Sequence, residues 1–385
     1  MAMLLDDDSC YRALRARDAR FDGRFFVAVS STRIYCRPVC SARTPKRENC
    51  RFFPDFAGAE AAEYRACLRC RPRTARVTAV TAKRDYRVLR NGAGGWLPAG
   101  SRAFELDFRA PYDWPAMLAF LAMRAIAGVE EVAADAYRRT VRIAKDHHER
   151  LGWIEVSPAP GKSAMRVVVS ASLLEVLPTL LIRVKQTLDL SSNPVEIAAA
   201  LGSLAASNPG LRLPGAFDGF EVGVRAILGQ QVTVAAARTI AGRFAAAFGT
   251  AIDSPFPALA TAFPAPEKVA DLTVDHIARL GILASRSRSI IALARALEDE
   301  TIQLNPSRNV EAELEMLRAL PGIGEWTAQY IAMRAMGWPD AFPHTDYGVM
   351  KALGESDPKR VLEAGAAWRP WRSYAVMHLW QSLHQ

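Results

Sequence analysis

Two sets of residues in this chain have the types and spacing to do chemistry. The first is sulfur. All six cysteines (Cys10, Cys36, Cys40, Cys50, Cys67 and Cys70) lie N-terminal to Arg71. Four of them form two close pairs in the pattern Cys36-x3-Cys40-x26-Cys67-x2-Cys70. Each pair sets two sulfurs within one turn, and the long gap lets the second pair fold back, which suits four thiolates on one tetrahedral Zn²⁺. In a reducing compartment, clustered cysteines favour metal over disulfides. Cys10 and Cys50 match neither pair and read as free thiols, with substitution of one as a ligand the alternative. Four thiolates on Zn²⁺ leave two net negative charges on electron-rich sulfurs. An exposed one is a nucleophile, and a purely structural site is the alternative.

The second set lies in the C-terminal half. Leu320-Pro-Gly-Ile-Gly-Glu-Trp-Thr-Ala328 sits between two helical patterns. Gly322 and Gly324 permit positive φ and close backbone approach, while Ile323 plugs the helix pair beneath. Amides of the turn and of the next helix start then face outward for a phosphate. That is a clamp that grips DNA backbone without reading sequence, with an ordinary αα-turn as the plainer alternative. Nineteen to twenty-three residues after Gly324 comes Pro343-His-Thr-Asp-Tyr347, just before another helical pattern. An Asp at this position most often caps the helix. A carboxylate at the positive end of a helix dipole also suits acid–base or electrostatic catalysis, which makes Asp346 the candidate catalytic residue. Trp326 and Tyr330 are four apart on one helix face, and Tyr347 adjoins Asp346. Trp368, Trp371, Tyr374 and Trp380 crowd the C-terminus. Such aromatics serve core packing or an electron-rich cleft. A cleft of that kind would favour a flat, cationic ligand, with cation–π gains on the order of 1–2 kcal/mol.

The elements that must position these groups follow from length and pattern. At 385 residues the chain exceeds what one core comfortably holds, so two or three domains are expected. Half the residues are apolar and 23% charged, as in globular chains. Apolar stretches are far short of a bilayer span, and the acidic start Asp6-Asp7-Asp8 is unlike a secretion signal. A cytoplasmic protein with no membrane partner, acting as a monomer, is the expectation. The net charge is +9, and residues 1–75 hold 15 basic against 9 acidic side chains, which suggests a polyanionic partner.

Residues 1–75 form an Arg- and Cys-rich segment with strands near Arg24–Ser30 and Thr32–Tyr35. Residues 76–103 read as a basic linker with a loop at Asn91–Gly95. Residues 104–190 alternate strands (Phe104–Phe108, Arg139–Ile143, Trp153–Val156, Met165–Ser170) with helices around Trp114–Ile126 and Leu173–Thr187. Residues 191–385 are helical throughout, with candidates including Phe220–Phe248, Pro266–Arg279, Val310–Leu320, Glu325–Met336, Tyr347–Leu353 and Ser373–Leu383. The expected fold class is therefore α+β multidomain: a small zinc-binding α+β domain, an antiparallel-sheet α+β domain and an α-helical domain bearing the hairpin. His147-His148-Glu149 reads as a solvated turn between strands rather than as metal ligands.

Around the cysteines, Ile34-Tyr-Cys-Arg-Pro-Val-Cys40, Ala42-Arg-Thr-Pro-Lys-Arg-Glu-Asn49 and Cys67-Leu-Arg-Cys-Arg-Pro72 closely resemble the N-terminal zinc domain of the Ada family of DNA methyl-repair proteins. The resemblance implies that Cys36 takes a methyl from a methylated DNA phosphotriester, with Cys40, Cys67 and Cys70 as co-ligands. Methylation makes that thiolate a thioether, removes one negative charge and should raise DNA affinity. Arg37, Arg43, Lys46, Arg47 and Arg51 would hold the backbone. Ada-type regulators follow this domain with a helix-turn-helix pair of about a hundred residues. The stretch from Cys70 to Phe104 is too short for two such motifs, so the transcription-activator role is not expected.

The hairpin followed by an Asp resembles the DNA glycosylase superfamily named for its hairpin, Gly/Pro loop and Asp. Members that also nick the strand carry a Lys just after the Gly-x-Gly-x portion. Trp326 stands there instead, which implies base excision without lyase activity. Ala110–Ala125, Leu211-Arg-Leu-Pro-Gly215, Ala226-Ile-Leu-Gly-Gln-Gln-Val232 and Trp368–Ala375 look like AlkA-type bacterial 3-methyladenine glycosylases II, over about three-quarters of the chain. From this follow Asp346 as catalytic, Trp326, Tyr330, Trp380, Phe120 and Tyr347 as base-binding, and Gly322 and Gly324 as backbone-binding. No cofactor is implied for excision. Members often drive an apolar side chain into the gap left by the flipped base, and Gln231, polar but of similar length, stands at that position. The implied function is alkylation repair on double-stranded DNA. A methyl-DNA sensor whose glycosylase half only docks is the alternative.

Overall fold

The computed structural model describes residues 5–74, 86–89, 97–145, 148–305 and 309–383. The expected Asn91–Gly95 loop, most of the basic linker and His147 lie outside the described residues.

The N-terminal domain opens with α1 (Asp7–Ala16), capped by the Asp6 carboxylate on the Ser9 amide. A four-stranded sheet follows, in the order β3-β1-β2-β4, from β1 (Phe26–Val29), β2 (Ile34–Cys36), β3 (Cys50–Phe53) and β4 (Arg65–Ala66). Helix α2 (Phe56–Ala61) bridges β3 and β4, so that β4 returns parallel to β2 with Tyr35 opposite Ala66.

The middle domain is a six-stranded antiparallel sheet in the order β5-β6-β10-β9-β8-β7. Its strands are β5 (Arg87–Val88), β6 (Arg102–Asp107), β7 (Glu130–Ala133), β8 (Ala136–Lys145), β9 (His148–Pro158) and β10 (Ala164–Val169). Helices α3 (Trp114–Arg124) and α4 (Leu177–Thr187) pack against it, α3 capped by Asp113 on the Ala116 amide. The Met165–Ser170 run is almost continuously apolar because β10 is buried on both faces. One face meets Leu106 and Leu180, and the other meets Trp153 and Phe256. Part of the expected linker belongs to this sheet. Arg87 pairs with Glu105 at 2.9 Å and Asp107 at 2.5 Å and so tacks β5, the edge strand, onto β6.

The helical domain comprises α5 (Pro194–Leu201), α6 (Gly219–Leu228), α7 (Val234–Phe248), α8 (Pro266–Ala270), α9 (Val274–Ala278), α10 (Ala284–Glu298), α11 (Val310–Ala319), α12 (Glu325–Arg334), α13 (Tyr347–Leu353), α14 (Pro358–Gly365) and α15 (Arg372–Ser382). Two expected helices divide. Pro266–Arg279 breaks where Thr273 starts a capping box with His276. Phe220–Phe248 breaks at Gly229–Thr233, where Thr233 caps α7 on the Ala236 amide and Gln231 adopts φ +54°. Unbroken apolar periodicity on both sides hid that turn, although the Thr cap was present in the sequence.

The N-terminal domain is fastened to the helical domain. Leu14, Phe21 and Phe25 belong to the same apolar core as Trp338, Trp371 and Tyr374. Phe21 meets Trp338 edge-on at 5.4 Å, and the Arg24 guanidinium lies 4.2 Å over the same indole. Among the described residues no helix is long and apolar enough to cross a membrane.

Candidate metal centre and active-site cleft

The parallel pairing of β2 with β4 assembles the sulfurs. Cys36 ends β2, the Cys40 amide turns back to the Arg37 carbonyl at 3.1 Å, and the Cys67 amide donates to the Tyr35 carbonyl at 3.0 Å. The Sγ atoms of Cys36, Cys40, Cys67 and Cys70 all lie within 4.8 Å of one another. A tetrahedron of thiolates about 2.3 Å from Zn²⁺ has edges of about 3.8 Å, so the donor set and spacing fit that ion. The hydrogen bond between Cys36 and Cys70 pushes the Cys36 thiol up and draws Cys70 down to about 5. A divalent cation held by the four sulfurs would favour their thiolate forms. Cys40 is buried, whereas Cys36, Cys67 and Cys70 are half-buried and open to approach. Cys10 and Cys50 are buried elsewhere, and burial pushes both thiols up, as suits inert free cysteines.

The basic residues near the quartet differ in what they touch. Arg43, Lys46 and Arg51 are exposed. Arg47 is engaged by Asp8 at 2.9 Å and by Asp7 at 3.5 Å. Arg37 turns inward, its guanidinium forked onto Asp22, and its amide donates to Cys70 Sγ at 3.4 Å. Its side chain therefore braces the metal loop against the segment that docks on Trp338.

A cleft of about 1080 Å³ opens between the sheet domain and the helical domain. Asp346 lies in its wall as the N-cap of α13, Oδ1 accepting from the Val349 amide at 3.0 Å. Oδ1 also accepts the Trp380 indole N–H at 2.8 Å, and Oδ2 accepts the Trp326 indole N–H at 2.7 Å. The carboxylate thus caps the helix and lines the cleft at once, held by three neutral donors. Trp326 stacks on Tyr330 at 5.3 Å, with Trp380 tilted 6.4 Å from Tyr330. Phe120, on α3, lines the opposite wall, and Tyr347 stands on the rim at 78% exposure. The other C-terminal aromatics take the packing role: Trp371 and Tyr374 are in the core and Trp368 packs on Phe342 at 6.2 Å.

The hairpin joins α11 to α12 with Ile323 buried beneath it. Its glycines serve different ends. Gly322 has φ +74° and lies so close to Ser289 that a Cβ would sit 2.3 Å from the hydroxyl oxygen. Gly324, expected to exploit positive φ, instead has φ −90°, and a Cβ there would meet open space. Beside it, Gln230 ties the α6–α7 turn to the hairpin, donating to the Gly322 carbonyl at 2.9 Å and Thr327 Oγ1 at 3.0 Å. Exposed Gln231 protrudes at the cleft mouth.

Several cleft residues escaped sequence reasoning because only the domain contact collects them. Arg139 on β8 bonds Glu221 at 2.6 Å, and Arg225 joins Glu221 and Glu130, locking the sheet to α6. Burial would raise Glu130, yet Arg225 and Arg139 hold it down at about 2. Arg124 and Arg334 form a cationic floor, 3.8 and 4.7 Å from the Phe120 ring. Arg334 donates to Tyr330 Oη at 2.9 Å, and these guanidiniums overcome burial to lower the Tyr330 phenol. Arg124 sits inside the quoted Ala110–Ala125 segment, the one signal that pointed to it.

Comparison with known proteins agrees with this geometry. Residues 9–73 match the metal binding domain of Ada, 103–218 the AlkA N-terminal domain, and 224–358 the HhH-GPD superfamily of base excision DNA repair proteins. A probable bifunctional transcriptional activator/DNA repair enzyme AlkA from Mycobacterium tuberculosis is 32% identical, over 98% of this chain and 97% of the relative. That alignment runs to 488 positions against a chain of 385 residues, so the relative holds sequence that this chain lacks. The Escherichia coli DNA-3-methyladenine glycosylase 2 is 37% identical, over 72% of this chain and 96% of its own. A solved 3-methyladenine DNA-glycosylase from Archaeoglobus fulgidus shares the fold at TM-score 0.59 and 19% identity, covering 72% of this chain and 96% of that one. The chain belongs to the AlkA family of DNA-3-methyladenine glycosylases, within the helix-hairpin-helix base excision superfamily, and bears an Ada-type metal-binding domain at its N-terminal end.

Proposed function

We propose that this alkylation-repair glycosylase releases alkylated bases by hydrolysis through Asp346, without strand cleavage. The observation that carries the reading is the Asp346 carboxylate, held by two indole N–H groups at the wall of an aromatic cleft beside the hairpin. Gly322, Gly324 and the adjoining amides grip the backbone while Gln231 fills the gap left by the everted nucleotide. The base enters against Trp326, Tyr330 and Trp380, with Phe120 across the cleft and Tyr347 on the rim. As the N-glycosidic bond breaks, its electron pair leaves with the base and the sugar becomes oxocarbenium-like. Asp346 stabilises that charge and orients the water whose oxygen bonds to C1′. Trp326 occupies the place of a Schiff-base lysine, so no amine traps the sugar. The substrate on this reading is duplex DNA, bound by the protein acting as a monomer.

Stacking on electron-rich rings favours 3-methyladenine- and 7-methylguanine-type cations. The cationic floor of Arg124 and Arg334 favours a second class as well, neutral bases that present an oxygen or nitrogen acceptor edge, such as deaminated purines.

The zinc-binding module adds a separate reaction. Cys36 attacks the methyl carbon of a DNA phosphotriester, the S–C bond forms, and the C–O electron pair returns to the phosphate oxygen. Cys36, Cys40, Cys67 and Cys70 would hold the ion, which keeps all four sulfurs as thiolates. Exposed Arg43 and Lys46 suit the flanking phosphates, while Arg37 and Arg47 brace the module.

Release from single-lesion duplexes by the full chain and by Asp346→Asn tests the glycosylase reading. Asn retains the helix cap, so DNA binding should persist while release falls at least ~100-fold, the scale on which acid–base groups contribute. Unchanged release by Asp346→Asn removes the mechanism and favours a sensor.

A further inference from the structure

The two halves of the chain meet on the helix that supports the proposed catalytic carboxylate. Trp371, the N-cap of α15, is fully buried and donates its indole N–H to Asp18 Oδ2 at 3.2 Å. One turn on, the Tyr374 hydroxyl donates to Asp189 at 2.6 Å and accepts from Arg20 at 2.7 Å. Arg20 in turn grips both oxygens of Asp18, at 2.8 and 2.6 Å, and reaches Asp189 at 3.4 Å. Asp18 and Arg20 belong to the zinc-binding module, and Asp189 to the end of the sheet domain. This is a buried three-way junction. A second strut runs beside it: Phe21 packs on Trp338, whose carbonyl accepts from Ser373 Oγ at 2.9 Å.

The far end of the same helix holds Trp380, whose indole bonds Asp346. Trp380 stands six positions beyond Tyr374, about 9 Å along the helix. Ala375, Val376, Met377 and Leu379 between them are buried, so α15 is clamped along its length and displaces as a rod. We infer that Asp18 and Arg20 are positioning residues for base excision, acting through Trp371 and Tyr374 on α15 and thereby on the Trp380–Asp346 pair. Catalytic geometry is sensitive enough for this, since a misplacement of about 1 Å can cost ~100-fold. The inference rests on Asp346 being the group that faces the sugar.

A different contact across the same interface provides the control. Arg15 pairs with Glu196 on α5 at 3.2 Å, with the arginine side chain 54% exposed, and that bridge does not involve α15. In the full-length chain, Asp18→Asn and Trp371→Phe should slow single-turnover release from a defined lesion duplex about tenfold or more. Their Kd for a duplex bearing an abasic-site analogue should stay within about twofold. Arg15→Ala should match the unaltered protein, and Arg20→Lys should be slowed less than Arg20→Ala.

Release at the unaltered rate by folded Trp371→Phe overturns the inference, and that variant decides the matter should Asp18→Asn misfold. A parallel loss of rate, Kd and Tm overturns it too, because a merely structural role moves all three. Full activity in Asp346→Asn would instead overturn the underlying reading. An inactive Asp346→Asn beside fully active Asp18→Asn and Trp371→Phe removes the positioning role alone.

Discussion

Trp326 and Trp380, on separate helices, hold opposite oxygens of one carboxylate, their indole nitrogens 2.7 and 2.8 Å from Asp346 Oδ2 and Oδ1. The donors are neutral, so they orient the carboxylate without cancelling its charge, as the proposed mechanism requires. Their rings also build the aromatic wall, which couples base stacking to the placement of the negative charge.

Trp326→Phe and Trp380→Phe each keep an aromatic face and remove one N–H. A hydrogen bond to a charged group contributes about 1.5–3 kcal/mol, so each change should slow single-turnover release about 10- to 100-fold. The double variant should lose less than the product of the two, because both act on one group. Wild-type rates in both single variants would show that the indoles serve stacking alone.

The two hairpin glycines should separate stability from binding. Gly322→Ala forces a Cβ onto the Ser289 hydroxyl at positive φ and should cost about 1–3 kcal/mol, visible as a lower Tm. Gly324→Ala meets open space in the free protein, so Tm should hold. On the proposed reading its methyl stands where a phosphate approaches, and Kd for duplex DNA should rise several-fold. Thermal melts with fluorescence-anisotropy titrations check both halves.

His378, buried in α15, is lowered to about 4 by desolvation, below its ordinary 6.5. The folded chain therefore binds fewer protons than the unfolded chain between those two values. Stability from this group is complete above about pH 6.5, falls as pH drops toward 4, and then levels off. The total is about 3 kcal/mol. His378→Gln should flatten that part of the stability-against-pH curve in urea titrations, and an unchanged slope would assign the acid sensitivity elsewhere.

Intact-mass measurement after exposure to a methylated-phosphotriester duplex should find one added methyl, mapped to Cys36. Cys36→Ser should gain none and bind zinc more weakly, since one thiolate ligand is lost. Zinc bound by the unaltered chain with no methyl gained would leave a structural module.

Much of this was legible in the residues themselves. The spacing of Cys36, Cys40, Cys67 and Cys70 determined a four-sulfur site, because local turns bring each pair together. Leu320–Ala328 determined the hairpin, and Pro343–Tyr347 the capped Asp346, because glycine freedom and helix capping act over a few neighbouring residues. Tertiary structure decided what depends on contacts between distant segments. It broke Phe220–Phe248 to project Gln231, turned Arg37 toward Asp22, and collected Arg124 and Arg334 under Tyr330. It also set Asp18 and Arg20 against α15, a junction invisible to composition since its members come from opposite ends of the chain. Periodicity and motif spacing report forces along the chain, whereas burial of charge and packing of one face on another exist only once the domains have closed.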